Sequence, residues 1–180
     1  YAKLDFICRL LLFLFVGLFL FNNLTKNNAM LAGDYPEYLL TSISFTNHYT
    51  PDLRIEDIVI TQNLLKSNNI DSNVIASFDE YKSFMQNPSL DYMHGYRGYF
   101  ASLDVKLYAY HFWFYSFVVA LFKPLSDLFL QPLSCFVFAN SLLILFLIFY
   151  ILFLSSYNSF QKYLLAFLFF ISPIYYYINW

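Results

Sequence analysis

The chain has 180 residues, of which 59% are hydrophobic, 23% aromatic and only 12% charged, and its formal net charge is -2. A mean hydropathy of +0.52, with the apolar residues gathered into long blocks, argues against a soluble domain, whose core would scatter them at periods of 2 or 3.6. No basic run or aromatic–basic interleaving gives it a nucleic-acid footprint. Cys8 and Cys135 are the two cysteines, so no disulfide framework braces the long polar segment between the apolar blocks.

Four apolar blocks lie at roughly residues 6–21, 107–122, 133–154 and 163–178. The third spans about 33 Å as a helix and crosses a hydrocarbon core unaided, whereas the others reach about 24 Å and need their flanks. The chain therefore reads as an all-α polytopic membrane protein. About four transmembrane helices are expected, with a long outer loop of short amphipathic helices. Residues 1–24 form the first transmembrane helix, 25–106 the extracytoplasmic loop, and 107–180 transmembrane helices two to four. No small-x-small cleavage site follows the first block, where Asn22, Asn23, Leu24 and Thr25 come next, so the block reads as a retained anchor. Starting at Tyr1 and stopping at Trp180 inside an aromatic run, the sequence reads as a piece of a longer membrane domain. Lys3, Arg9 and Lys123 nearly balance Lys26, Lys106 and Lys162 across the bilayer, and the long loop then favours a cytoplasmic N-terminus with the loop outside. A multi-pass protein of a bacterial inner membrane is the expected setting.

Within the loop, Asp34, Pro36 and Glu37 form an N-cap, a first-turn proline and a capping-box carboxylate, so a helix is predicted to begin there and to lie flat against the interface. Thr50-Pro51-Asp52 is a turn leading to a second segment with Leu53, Ile55, Ile58, Ile60, Leu64 and Leu65, closed by the polar stretch 66–69. A helix is predicted over 73–86, carrying Val74, Ile75, Phe78, Tyr81, Phe84 and Met85 at helical spacing, and Asn87-Pro88-Ser89 ends it. Gly95 and Gly98 bracket Tyr96 and Arg97. From Tyr99 to Ala109 the alternation predicts a short extended or hairpin segment running into Tyr110-His111-Phe112-Trp113.

Gly33-Asp34-Tyr35-Pro36-Glu37-Tyr38-Leu39-Leu40 after a membrane anchor, with Leu107-Tyr108-Ala109-Tyr110-His111-Phe112 past the long loop, resembles the N-terminal part of C-type glycosyltransferases. These polytopic enzymes take sugars from polyprenyl-phosphate carriers, as protein O-mannosyltransferases and aminoarabinose transferases do. Ser172-Pro173-Ile174-Tyr175-Tyr176-Tyr177 is similar to the serine-proline-aromatic end of a later helix in that group. The family's first loop commonly carries two adjacent carboxylates; here Tyr35 follows Asp34, and Glu37 takes the second place. The resemblance implies Asp34 as general base toward an acceptor hydroxyl, Glu37 as its companion, and Arg97, Lys106 and His111 as partners of the carrier phosphate. The chemistry fits such roles: transfer through an oxocarbenium-like state is helped by a carboxylate that takes the acceptor proton and by cations facing the departing phosphate. The partners so implied are a lipid-linked sugar donor, membrane lipid and an acceptor that the sequence does not name, with no cofactor and no metal. A transporter or flippase and a non-enzymatic scaffold are the other classes open to a membrane chain. Transporters place ionisable groups within the bilayer at interrupted helices, and Arg9 is the charge found well inside an apolar block.

Overall fold

The computed structural model describes residues 2–26, 34–86, 98–102, 106–111, 113–128 and 132–171. Asn87, Pro88, Ser89, Arg97 and the 172–177 segment lie outside them. The chain divides into two compact units, 1–30 with 134–180, and 31–133.

The first unit holds α1 (Ala2–Lys26), α6 (Cys135–Phe149), which continues as a π-helical turn over Tyr150–Leu154, and α7 (Ser159–Ile171). Val16 and Leu20 of α1 pack with Val137, Ile148 and Leu152 of α6 and its extension and with Ala166 of α7. Phe13 meets Phe149 and Phe153 edge-on, and Phe19 meets Phe170. Along the opposite face of α1, Leu11, Leu14 and Leu18 are exposed, a face that hydrocarbon accommodates and water does not. One polar knot joins the start of α1 to the start of α7. Arg9 pairs with Asp5 and donates from Nη2 to Ser159 Oγ (3.0 Å), while the Tyr163 hydroxyl donates to Asp5 (3.1 Å). Arg9 Nη1 also donates to the Leu152 carbonyl (3.1 Å), one of the last-turn carbonyls that a helix end leaves without an internal partner. Asn158 and Gln161 bond reciprocally through side chain and backbone and start α7 as a capping box.

Among the described residues two helical stretches, Lys3–Asn22 and Cys135–Leu154, are long and apolar enough to cross a membrane, and Ser159–Phe170 is a shorter apolar helix. These helices point to membrane association. Among the described residues the expectation of four spanning helices is thus reduced to two, with the end of the 163–178 block lying outside them. The block at 107–122 divides: Leu107–Ala109 pair as a strand, and from Phe114 the chain enters α5 (Phe114–Leu128), only 15 residues long. Hydropathy identifies blocks but not where backbone hydrogen bonds go, and here a strand partner claims the first turn.

In the second unit α2 (Tyr35–His48) packs against α5, α3 (Ile55–Ser67) and the sheet, and α3 packs against α4 (Ser72–Gln86). The strands β1 (Asp52–Leu53), β2 (Tyr99–Ala101) and β3 (Leu107–Ala109) run antiparallel in the order β1-β3-β2, with Asp52 opposite Tyr108 and Tyr99 opposite Ala109. The helix expected to lie flat at an interface is instead the buried centre of this unit: every residue from Leu39 to Phe45 is buried, as in a helix surrounded by protein. Its buried hydroxyls cost little because they are bonded, Ser42 to the Tyr38 carbonyl (2.7 Å) and Ser44, its one proton shared, to the Leu40 carbonyl and Asp57 Oδ2 (3.0 Å each). α5 turns Ser116, Val119, Ala120, Lys123 and Ser126 inward and leaves Leu121, Leu125 and Leu128 outward. Lys123 is buried against Asp127 (2.7 Å).

Candidate functional site

The site is built on the first turn of α2. Asp34 is its N-cap residue, with Pro36 in the first turn, and the backbone amides of Glu37 and Tyr38 bond to the Asp34 carbonyl (3.1 and 3.3 Å). The helix starts where the Asp–Pro–Glu pattern predicts, but no capping box forms. The Asp34 carboxylate makes no capping hydrogen bond and its side chain is 57% exposed.

Glu37 turns the other way and is 3% exposed. Its Oε1 accepts the backbone N–H of His111 (2.6 Å) and its Oε2 lies 2.7 Å from His111 Nδ1. A carboxylate only accepts, so Nδ1 carries the proton and Nε2 is the outward nitrogen. That nitrogen stands 3.8 Å from Asp34 Oδ2, and the imidazole is 45% exposed. Asp34, Glu37 and His111 are therefore brought together. The hydrogen bond that His111 donates to Glu37 and then the Glu37 charge push the His111 pKa above the ordinary imidazole value; burial opposes them, and Asp34 adds to them.

The β2–β3 hairpin fixes this arrangement from behind. Gly98 has φ +92, and a Cβ there would collide with Glu37 Oε2, so only glycine lets the strand approach the carboxylate. The amide of Tyr110 bonds to the Gly98 carbonyl (2.5 Å), placing His111 just beyond the paired strands. The Tyr99 hydroxyl donates to the Glu37 carbonyl (2.9 Å) and accepts from Thr41 Oγ1 (3.0 Å). Burial, foremost, drives the Tyr99 phenol well above its ordinary pKa, so it remains a donor. From α5, Ser116 bonds to the Tyr38 carbonyl (3.2 Å), and the Tyr38 ring stacks at a tilt on His111, centroids 5.9 Å apart. Desolvation, then the charges of Glu37 and Asp34, raise the Tyr38 pKa.

Lys106 is not brought to this group. It is exposed at the turn end of the hairpin, where its backbone pairs with Ser102, whereas His111 follows the open end. At about 3.3 Å per strand residue the hairpin holds the two apart. Arg97 falls outside the described residues. Among the described residues no group of three or more His, Cys, Asp or Glu side chains is arranged to hold a metal. Comparison with family models, with curated proteins and with solved structures finds no match for this chain.

Sequence reasoning missed the buried role of Glu37 and the part played by Tyr99. The bracket of glycines at 95 and 98 was the available signal, since an isolated glycine at a strand start marks a close backbone approach. What it approaches lies across the fold and has no local trace. Chemically, the group offers an exposed carboxylate beside an imidazole whose orientation and tautomer are set by a buried carboxylate, the arrangement used for positioned proton transfer.

Proposed function

We propose that this chain belongs to a membrane glycosyltransferase that moves a sugar from a polyprenyl-phosphate donor to a hydroxyl acceptor on the extracytoplasmic side of a bacterial inner membrane. The observation that carries the reading is the Asp34 carboxylate, released from helix capping and 3.8 Å from the outward nitrogen of His111. The resemblance of the 33–40 and 107–112 segments to C-type glycosyltransferases and the two helices of spanning length support it.

In this mechanism Asp34 takes the proton of the acceptor hydroxyl as its oxygen bonds to the anomeric carbon. The bond from that carbon to the phosphate oxygen breaks, and the electron pair leaves with the phosphate. His111, held at Nδ1 by Glu37, donates from Nε2 to the developing phosphate charge when the ring carries its second proton, the form that Glu37 favours. Glu37 acts through His111 and is a positioning residue, and Arg97 is a further phosphate partner. Lys106 has no part in this first step.

Asp34→Asn tests the reading, because asparagine is as good an N-cap. The variant is expected to keep its expression and melting temperature while transfer from a polyprenyl-phosphate sugar falls at least about a hundredfold, the scale of a lost acid–base group. Undiminished transfer by Asp34→Asn would remove Asp34 from catalysis.

A further inference from the structure

A second reactive arrangement stands at the other end of α2. Asp57, in the first turn of α3, is fully buried and accepts four hydrogen bonds. Ser44 Oγ (3.0 Å), His48 Nε2 (3.0 Å) and the Arg54 backbone amide (2.8 Å) reach its Oδ2, and Asn47 Nδ2 (3.0 Å) reaches its Oδ1. An acceptor so surrounded requires a proton on His48 Nε2, and in that tautomer Nδ1 carries the lone pair. That nitrogen lies 2.6 Å from the Thr50 hydroxyl. The His48 side chain is 10% exposed, whereas Thr50 stands on the surface. Buried carboxylate, oriented imidazole and accessible hydroxyl follow in one line. A nucleophile within hydrogen-bonding reach of a base, and the base oriented by a third group, is the geometry by which a weak hydroxyl nucleophile is activated.

Two further features fit a reactive hydroxyl. Tyr49, immediately before Thr50, closes α2 in the left-handed region (φ 62) and is 85% exposed. A side-chain-bearing residue held there stores about 1–2 kcal/mol, a cost that recurs at functional turns. Asp52, two residues after Thr50, is buried and accepts a hydrogen bond from Arg54 Nε (3.3 Å). The Arg54 guanidinium, 47% exposed, is held on this turn by Asp52 and would be the cation available to developing oxyanion charge.

We propose that Thr50 is the nucleophile of an acyl-transfer site, with His48 as its base and Asp57 as the positioning residue, acting on esters with a good leaving group. Thr50 Oγ bonds to the ester carbonyl carbon as its proton passes to His48 Nδ1. The bond from that carbon to the leaving oxygen then breaks, and the leaving oxygen takes the proton from His48. The products are an acyl-Thr50 ester and the free alcohol, with no redox change. This chemistry is independent of Asp34 and His111.

The test is acylation of the full-length protein in detergent by p-nitrophenyl acetate, read as p-nitrophenol release and as acetylation of the Thr50 peptide by mass spectrometry. Acetyl-Thr50 is expected in the folded wild type and in Thr50→Ser, and is lost in Thr50→Val. His48→Gln should slow its formation at least about a hundredfold. Circular dichroism melting reports whether each variant is folded, and guanidinium-unfolded wild type supplies the reference should His48→Gln not fold. The proposal is overturned by a folded wild type whose Thr50 stays unmodified, by an undiminished rate in folded His48→Gln, or by acetylation of Thr50 that proceeds as fast in the unfolded chain.

Discussion

Replacing Gly98 with alanine tests the construction of the candidate site most directly, because it adds one methyl group at the point where the strand meets the Glu37 carboxylate. Two costs follow. The backbone at φ +92 disfavours an L side chain, typically by about 1–3 kcal/mol. The new Cβ would also lie 3.0 Å from Glu37 Cδ and closer still to Oε2, with Glu37 almost wholly buried. The carboxylate must therefore swing away from His111, losing bonds to a charged group worth about 1.5–3 kcal/mol. Together the penalty is about 2.5–6 kcal/mol, which lowers the melting temperature of a domain of this size by about 10 °C or more. Thermal melting by circular dichroism measures the stability, and NMR titration of the His111 ring measures the local consequence. Freed from Glu37, the imidazole should titrate lower than in the wild type. A Gly98→Ala protein with an unchanged melting temperature and an unchanged His111 titration would refute the account of how the hairpin holds the carboxylate.

The pH dependence of stability has a definite sign. His111 has a folded pKa raised above its unfolded value, so its contribution is fully present below about pH 6.5 and is lost as pH rises through the raised value; chemical denaturation across this range should show the fall, and Glu37→Gln should flatten it. Tyr99→Phe leaves the Glu37 carbonyl without its buried donor and should cost about 1–3 kcal/mol in the same assay, whereas a loss below a few tenths would mean that the bond contributes little. A cysteine placed at Ser67, exposed at the end of α3, in a protein lacking Cys8 and Cys135 should react with an impermeant maleimide in intact cells. Reaction only after lysis would reverse the orientation. Lys106→Gln should leave the KM for a lipid-linked sugar unchanged while Arg97→Gln raises it, and a larger effect at Lys106 would contradict the separation made by the hairpin.

Local chemistry was enough to place most elements. Proline two residues after Asp34 sets the start of α2, the apolar spacing of Val74, Phe78 and Tyr81 marks α4, and alternation from Tyr99 to Ala109 marks the hairpin. Each of these signals acts within a few residues, through a fixed φ, a helical period or a pleat, and so is written in the chain itself. The apolar runs at α1 and α6 are likewise self-declaring, because spanning length and apolar composition are sums over neighbouring residues.

Tertiary structure alone decided what those elements do. Glu37 has the spacing of a capping-box residue, yet its partner is His111, 74 residues away, and a pairing at that separation depends on how the hairpin docks on α2. The 107–122 block has the composition of a spanning segment, but β1 and β2 are both free to pair with Leu107–Ala109, and forming those backbone hydrogen bonds takes the strand out of any helix. The same holds at the far end of α2, where Asp57 reads as an ordinary first-turn carboxylate of α3 until Ser44, Asn47 and His48 close around it. Composition and period act along the chain, whereas burial and charge pairing act across it, which is why α2, α4 and the hairpin were legible in sequence while the division of the 107–122 block and the partners of Asp34, Glu37 and His111 were not.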